Sequence, residues 1–224
     1  MTQQEIHPWK WFVPPHSKVL FVGTFPPAKG KWSYDFFYPN KANLFWRIIS
    51  RIANSELRFF AGDEAVEERK QLLQQLKAGI TDMGDTIMRK DNSSLDENIT
   101  AIRYMNIVRI LDENEEISKI VFTSSSGPVS AARWFVQYLK TLGLAHKFPV
   151  GPKPLRSEWQ YKGRIISLVI VYSPSARAAN RVSFDSMVEM YENEITNSKI
   201  HPPRRTKIQI TNTKSRIPNF KPKF

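Results

Sequence analysis

The sequence contains no cysteine. Disulfides, thiol nucleophiles, cysteine-ligated zinc and iron–sulfur clusters are therefore excluded. The chain has only four histidines, and they are scattered along its 224 residues, which argues against a histidine metal site as well. We expect a protein that uses no metal and no bound cofactor.

Long apolar runs and a leader pattern are also missing. The most apolar stretch, "ISLVIVY", is far shorter than the roughly 20 residues that a membrane-spanning helix needs. The start, "MTQQEIHPWKWF", lacks the charged and then apolar pattern of a secretory signal. These absences predict a protein without a membrane partner, and they fit a cytoplasmic location.

Several motifs of common enzyme classes are absent too. The chain has no GxGxxG, no GxxxxGK[ST] and no GxSxG. Dinucleotide binding, phosphate-loop nucleotide hydrolysis and hydrolase-type serine chemistry therefore lack their signatures.

Acidic residues are missing from the C-terminal end. Residues 199–224 contain eight Lys or Arg and no Asp or Glu, and subtracting these eight from the net charge of +12 leaves +4 on residues 1–198. We expect one domain over residues 1–198 and an extended basic tail over 199–224. This charge distribution favours a polyanionic partner, most economically nucleic acid. The alternative is a solubilising tail on a neutral enzyme.

What is present is an alternation of buried strands and amphipathic helices. "KVLFVGTF" and "KIVFTSSSG" are predicted to be buried strands, and "EWQYKGRIISLVIVYSPSA" is predicted to be a hairpin that leads into a third one. Helices are predicted to start near Leu44, over "DEAVEERKQLLQQLKAG" with Gly79 as its C-cap, and over "IVRILDENEEIS", "PVSAARWFVQYLKTLG" and "SFDSMVEMYENEIT". "GITDMGDTIMRKDNSSLDEN" is predicted to be mostly loop. The pattern predicts an α/β three-layer sandwich around a mostly parallel sheet of four to five strands.

Parallel sheets bind ligands at the carboxyl ends of their strands. Three strand ends here carry small or polar clusters, "GTFPP", "TSSSG" and "YSPSARAAN". "TSSSG" could bind an anion through backbone N–H groups, although, taken alone, the motif favours an ordinary strand-to-helix turn. "SPSARAAN" is either a ligand loop or a loop with a surface arginine. The site is predicted where these three ends meet.

The order of the motifs carries more information than any one of them. The chain reads "FVGTFPP", "YPNKANLFW", "GITDMGD", "SLDENI" and finally "VIVYSPSARAANRVS" before a helix. This order resembles the uracil-DNA glycosylase superfamily, over roughly residues 18–191. The similarity is greatest to its hypoxanthine-DNA glycosylase branch, and the last helix also fits mismatch-specific uracil glycosylases.

The resemblance implies a role for each residue of the first half of the site. Gly23 and Phe25 belong to the first motif, Gly-x-x-Pro. Tyr38, with Phe25, would stack on an extruded base, and Asn40 would hold the catalytic water. Asn43 would either hold the loop or cap the helix that follows, and Asn40 could itself be only a turn residue.

The second half of the site follows from the later motifs. Ser173 matches the position where many relatives have a histidine, so its hydroxyl would assist the leaving base. Ser124 matches the strand end that reads the base edge. Of the two acids in "GITDMGD" we expect Asp85, rather than Asp82, to contact the base or orient Asn40, unless it only caps a loop.

The last loop would enter the DNA duplex. Ser175, Arg177 and Asn180 are the candidate contacts, with Arg177 filling the gap that the flipped nucleotide leaves. The implied protein is a monomeric, monofunctional DNA glycosylase in the cytoplasm, at the bacterial nucleoid. It would excise uracil or hypoxanthine in base excision repair without a cofactor.

Two departures from the family pattern keep other functions open. Phe25 stands where most relatives have Asn, Asp or Glu, and Ser173 stands where many have His. A non-catalytic nucleic-acid-binding module on the same fold is therefore the second hypothesis. A nucleoside or nucleotide hydrolase is the third, although a basic tail would serve no purpose on a small substrate.

Overall fold

The computed structural model describes residues 1–124, 129–176 and 181–196. Within them the strands are β1 (Thr2–Ile6), β2 (Val19–Gly23), β3 (Ala78–Asp82), β4 (Gly84–Lys90), β5 (Ile99–Tyr104), β6 (Lys119–Phe122), β7 (Leu155–Tyr161) and β8 (Arg164–Ile170). The helices are α1 (Phe45–Ile52), α2 (Gly62–Gln75), α3 (Ile107–Glu113), α4 (Ala131–Thr141) and α5 (Phe184–Thr196). Short 3-10 turns lie at Lys29–Lys31 and Asp96–Asn98.

The central sheet has five strands in the order β3-β2-β6-β8-β7. The first four are parallel to their neighbours, whereas β7 runs antiparallel to β8. Lys162 and Gly163 connect these two strands in a tight turn, both with positive φ, as a two-residue hairpin turn requires. The predicted mostly parallel α/β sheet is confirmed.

Helices cover both faces of this sheet, because its strands are apolar on both sides. Along β2, Leu20 and Val22 face the core that holds α3 and α4, whereas Val19 and Phe21 face the core that holds α1, α2 and α5. This alternation is the two-residue period of a strand. The result is the predicted arrangement of three layers.

A second, antiparallel sheet of order β1-β4-β5 accompanies the first. The prediction that "GITDMGDTIMRKDNSSLDEN" is mostly loop is therefore wrong, since β3 and β4 both lie in it. The predicted C-cap at Gly79 is also wrong, because α2 ends at Gln75 and Gly79 lies inside β3. A Cβ on Gly79 would lie 2.8 Å from Val13 Cγ2, so close packing of the strand requires the glycine there.

Helix α5 is fixed to the sheet by a buried carboxylate. Glu194 is fully buried and pairs with Lys119 of β6, at 3.3 Å, and with Arg156 of β7.

The basic tail, residues 199–224, lies outside the described residues. In the described part of the chain, no helix combines the length and the apolar character needed to cross a membrane.

Candidate functional site

A cavity of about 550 Å³ opens where the strands of the central sheet end. Its walls come from the chain that follows β2, β3, β6 and β8, together with the loop before α1 and the segment after β4. The cavity therefore lies where a parallel sheet is expected to bind a ligand.

Most of the predicted site residues lie together in this cavity. Its lining includes Gly23, Phe25, Tyr38, Asn40, Asn43, Ser124, Ser173 and Ser175. Arg177 and Asn180, the other predicted DNA contacts, lie outside the described residues. Asp85 is the predicted residue that the described structure does not bring to the cavity.

Asp85 is the second residue of β4, and its side chain pairs with Arg103 rather than lining the cavity. Its carboxylate forms an ion pair with Arg103 of β5 and accepts a hydrogen bond from Thr86 Oγ1 at 3.0 Å. The cavity is lined instead by Asp82, the last residue of β3. Because β3 ends at the ligand edge of the sheet and β4 belongs to the other sheet, the two acids of "GITDMGD" are separated.

Asp82 is held by a histidine from the N-terminal segment. Its Oδ2 lies 3.0 Å from His7 Nε2, and the two residues are only 6% and 8% exposed. The other ring nitrogen of His7 lies 2.7 Å from the carbonyl oxygen of Trp9. His7 therefore fixes the orientation of the carboxylate. Sequence reasoning missed His7, because it precedes the region of resemblance and no motif marks it.

Gly23 admits the Asp82 carboxylate to the cavity. A Cβ at this position would lie 2.1 Å from Asp82 Oδ1 and 3.0 Å from the hydroxyl oxygen of Tyr38. Real Cβ contacts are essentially never this short, so any side chain here would displace the acid. The glycine of the first motif is thus required by the packing of the cavity floor.

The predicted stacking residues have rings that are largely occupied. The Tyr38 ring stacks on Phe45 at 4.1 Å between centroids, and its hydroxyl lies 2.5 Å from Thr123 Oγ1. Phe25 is 9% exposed, with the His7 ring edge-on at 5.3 Å. Each ring can offer only its remaining surface to a ligand, and base stacking on them stays a prediction.

Buried Arg89 holds two walls of the cavity together. Its Nη2 donates to the carbonyl oxygen of Pro26 at 2.8 Å, and its Nη1 donates to that of Ser93 at 2.6 Å. The Nε group pairs with Glu5 at 2.8 Å. A guanidinium can satisfy several acceptors at once, so one side chain links β1, β4 and both loops.

Each of the two asparagines of "YPNKANLFW" accepts a hydrogen bond from the backbone amide two residues further along the chain. Asn43 Oδ1 accepts a hydrogen bond from the Phe45 amide at 2.9 Å, which satisfies a free donor at the start of α1. Asn40 Oδ1 accepts from the Ala42 amide at 2.9 Å. Within the described part of the chain the Asn40 side-chain NH₂ makes no further hydrogen bond, so it can donate to a ligand or a water in the cavity.

The last loop is tied to the same helix start. The Leu44 amide donates to the carbonyl oxygen of Pro174 at 2.8 Å, and Ser173 Oγ accepts from the Ser175 amide at 3.3 Å. The motifs before α1 and after β8 therefore form one continuous wall. Among residues 1–124, 129–176 and 181–196, no three His, Asp or Glu side chains are grouped so that they could hold a metal ion.

Comparison with known proteins supports the fold. No protein-family model matches the chain, and no curated protein matches it. Among solved structures, it is similar to the solution NMR structure of a "putative Uracil DNA glycosylase" from Methanosarcina acetivorans. The TM-score is 0.56 at 17% sequence identity, over 88% of this chain and 99% of that one. The chain therefore has the mixed α/β fold of this neighbour.

Proposed function

We propose that the protein is a monofunctional DNA glycosylase of the uracil-DNA glycosylase superfamily. It excises a deaminated base, uracil or hypoxanthine, and leaves an abasic site. The observation that carries the proposal is the grouping of Asn40, Asp82 and Ser173 in one cavity at the strand ends. The fold of the Methanosarcina acetivorans protein and the order of the sequence motifs agree with it.

The size of the cavity suits a flipped nucleotide. Small-ligand cavities usually measure about 300–1,000 Å³, and this one measures about 550 Å³. Duplex DNA hides the bond between base and sugar, so the nucleotide must rotate out of the stack into such a pocket. Tyr38 and Phe25 would contact the base with the ring surface that their own packing leaves uncovered.

Asn40 and Asp82 would act on the sugar side. As the C1′–N bond breaks, its electron pair leaves with the base and the sugar becomes oxocarbenium-like. A water held by the Asn40 amide attacks C1′ and gives up its proton, which the Asp82 carboxylate can accept. The negative charge of Asp82 also stabilises the cationic sugar. In this assignment Asn40 and Asp82 take the role of the acid or amide that the first motif lacks, because Phe25 occupies that position.

Ser173 would act on the leaving base. Its hydroxyl can donate a hydrogen bond to the anionic base, but serine cannot carry a positive charge as histidine does. We therefore expect the enzyme to be modest, or to prefer bases that are good leaving groups. Ser124 and Ser175, which also line the cavity, would complete the polar contacts to the base and the backbone.

A non-catalytic DNA-binding module is the second candidate. The packing of Phe25 among His7, Gly84 and Arg89 favours it, because the usual catalytic position is then part of the core. Such a module would use the same cavity to hold a base without cleaving it.

A strand-cleavage assay separates the two functions. End-labelled oligonucleotides that carry uracil, hypoxanthine, xanthine or mismatched thymine are incubated with the protein, single- and double-stranded, and treated with hot alkali. The proposal predicts alkali-dependent cleavage at one lesion and its loss in Asn40→Ala, with DNA binding retained. DNA binding without cleavage at any lesion would favour the binding module.

A further inference from the structure

A second cavity, of about 690 Å³, lies beside the first. It is bounded by α4, by residues 146–153 and by the end of β8. We call it the basic groove, because its lining includes Arg133, Lys147, Lys153 and Arg181 but no Asp or Glu.

The cations of the basic groove differ from those cations of the described chain that are paired with acids. Arg103, Arg109 and Lys162, for example, each form an ion pair with an acid. None of the four groove cations forms an ion pair with a described Asp or Glu. Burial, and then the charge of Arg181, lower the pKa of the Lys153 ammonium. The groove thus concentrates positive charge that the described residues do not neutralise.

Aromatic side chains give the basic groove firm walls. Tyr172 is half-buried, and the Lys153 ammonium lies 4.8 Å from its ring centroid. Phe148 packs edge-on against Phe122 at 5.6 Å and against His146 at 4.8 Å. Interleaved cations and aromatic rings are the usual lining of a channel for single-stranded nucleic acid.

The basic groove adjoins the first cavity. Ser173 lines the first cavity and its neighbour Tyr172 lines the groove, as Val129 and Ser130 do in the same order. Arg181 lines both. The strand beside a nucleotide held in the first cavity would therefore pass close to the groove.

We propose that the basic groove binds the phosphodiester backbone of the DNA strand next to the nucleotide held in the first cavity. The inference rests on the proposed function, since it assigns the neighbouring nucleotides of the same substrate to the groove. An acidic peptide would match the charge. An acidic peptide, however, has no base to place in the adjoining cavity, with which the groove shares Arg181.

The test compares two variants of equal net charge in the full-length protein. The groove variant is Arg133→Gln/Lys147→Gln/Lys153→Gln. The control is Lys10→Gln/Arg51→Gln/Lys77→Gln, three exposed cations that line neither cavity. The basic tail is unchanged in both. Binding of fluorescein-labelled oligothymidylate, 12 nucleotides long, is measured from 50 to 300 mM salt, and thermal unfolding checks folding.

Each phosphate contact contributes about 0.7 to the salt slope of single-strand binding. The groove variant should therefore lose about 2 from that slope and bind about 10- to 100-fold more weakly, whereas the control stays near wild type. If both triple variants bind alike, the proposal fails. Arg133→Glu, an exposed change on α4, gives a second reading and should weaken binding further than Arg133→Gln.

Two more titrations separate this inference from the proposed function. Free uracil and hypoxanthine report on the first cavity and should bind the groove variant as they bind wild type. Base excision with unaltered oligonucleotide binding in the groove variant would overturn the groove alone. Weaker oligonucleotide binding by the groove variant, together with no excision by the wild-type protein, would overturn the glycosylase proposal alone. A polyglutamate peptide that binds the groove more tightly than the oligonucleotide would also contradict the proposal.

Discussion

Two buried carboxylates of this protein have opposite surroundings. Glu194 is fully buried and has two cationic partners, Lys119 and Arg156. Asp82 is 6% exposed, has the His7 ring beside it and faces a cavity of about 550 Å³. Burial of a charge is unfavourable unless it is paired. Glu194 is paired completely by its own fold, whereas Asp82 keeps one side for something that enters from outside.

Under the proposed function, this difference distinguishes an acid that anchors a helix from an acid that takes part in the reaction. Glu194 joins α5 to β6 and β7, so its removal should affect stability rather than chemistry. Asp82 stands at the end of β3 over a glycine that makes room for it. Its replacement by Asn, which keeps an acceptor for His7, should affect chemistry rather than stability.

The largest effect is expected from Glu194→Gln. Removing one charge of a buried pair usually destabilises a protein by about 3–5 kcal/mol, here because the Lys119 ammonium stays buried without its counter-charge. The free energy of unfolding is measured by urea denaturation. Glu192→Gln, an exposed change on the same helix, is the control and should be nearly neutral. Equal stability of the two variants would mean that the buried pair does not anchor α5.

Gly23→Ala should lower the excision rate by about 100-fold, the loss expected when a reacting group is misplaced by about 1 Å. The new Cβ would meet Asp82 Oδ1 and must push the carboxylate away. Single-turnover cleavage of a lesion-containing oligonucleotide measures the rate. Gly30→Ala, where a Cβ meets no atom within 4 Å, should keep the wild-type rate. An excision rate of Gly23→Ala equal to that of wild type would contradict the role of the Asp82 carboxylate in the reaction.

His7→Phe should reduce the rate by about 10-fold and the stability by about 1–3 kcal/mol, because Asp82 loses its buried partner. His7→Gln retains a hydrogen-bond donor and should keep most of the reaction rate and most of the stability. The two variants are compared by single-turnover cleavage and by urea denaturation. Equal rates in the two variants would show that His7 does not position Asp82.

Asn43 should show the smallest effect. Asn43→Ala removes the acceptor of the Phe45 amide and should cost about 1 kcal/mol of stability, as capping changes do. Asn43→Asp keeps an acceptor for the Phe45 amide and should have the stability of wild type. Thermal unfolding of both variants is the measurement. A large loss of activity in a stable Asn43→Asp protein would instead assign Asn43 to the substrate.

The sequence was sufficient for the elements whose pattern is local. Residues 45–52, 107–113, 131–141 and 184–196 form helices as predicted, and the hairpin of β7 and β8 follows its Lys-Gly turn. Strand β3 was missed because Gly79 and a polar end obscure the pattern of a short buried strand. Strand β1 was missed because its partner β4 lies far away in the sequence. Strands β4 and β5, which pair with each other locally, were missed because polar residues interrupt their apolar pattern.

The same distinction holds for the cavity. The sequence motifs predicted eight of its lining residues. Five of them lie at or just after strand ends, which a parallel sheet brings together, and the other three precede α1, namely Tyr38, Asn40 and Asn43. The choice between Asp82 and Asp85 depends on where β3 ends and β4 begins, which the pattern did not show. The contact between His7 and Asp82 joins residues 75 positions apart, and only the folded chain brings them together.

The most direct test of the account is the release of free base by three proteins: wild type, Asp82→Asn and Glu194→Gln. Each is incubated with uracil- and hypoxanthine-containing oligonucleotides below its unfolding temperature, and the free base is quantified by chromatography. We predict release by wild type and Glu194→Gln, and a loss of about 100-fold or more in a stable Asp82→Asn protein. Release by Asp82→Asn at the wild-type rate, or no release by wild type, would contradict the account.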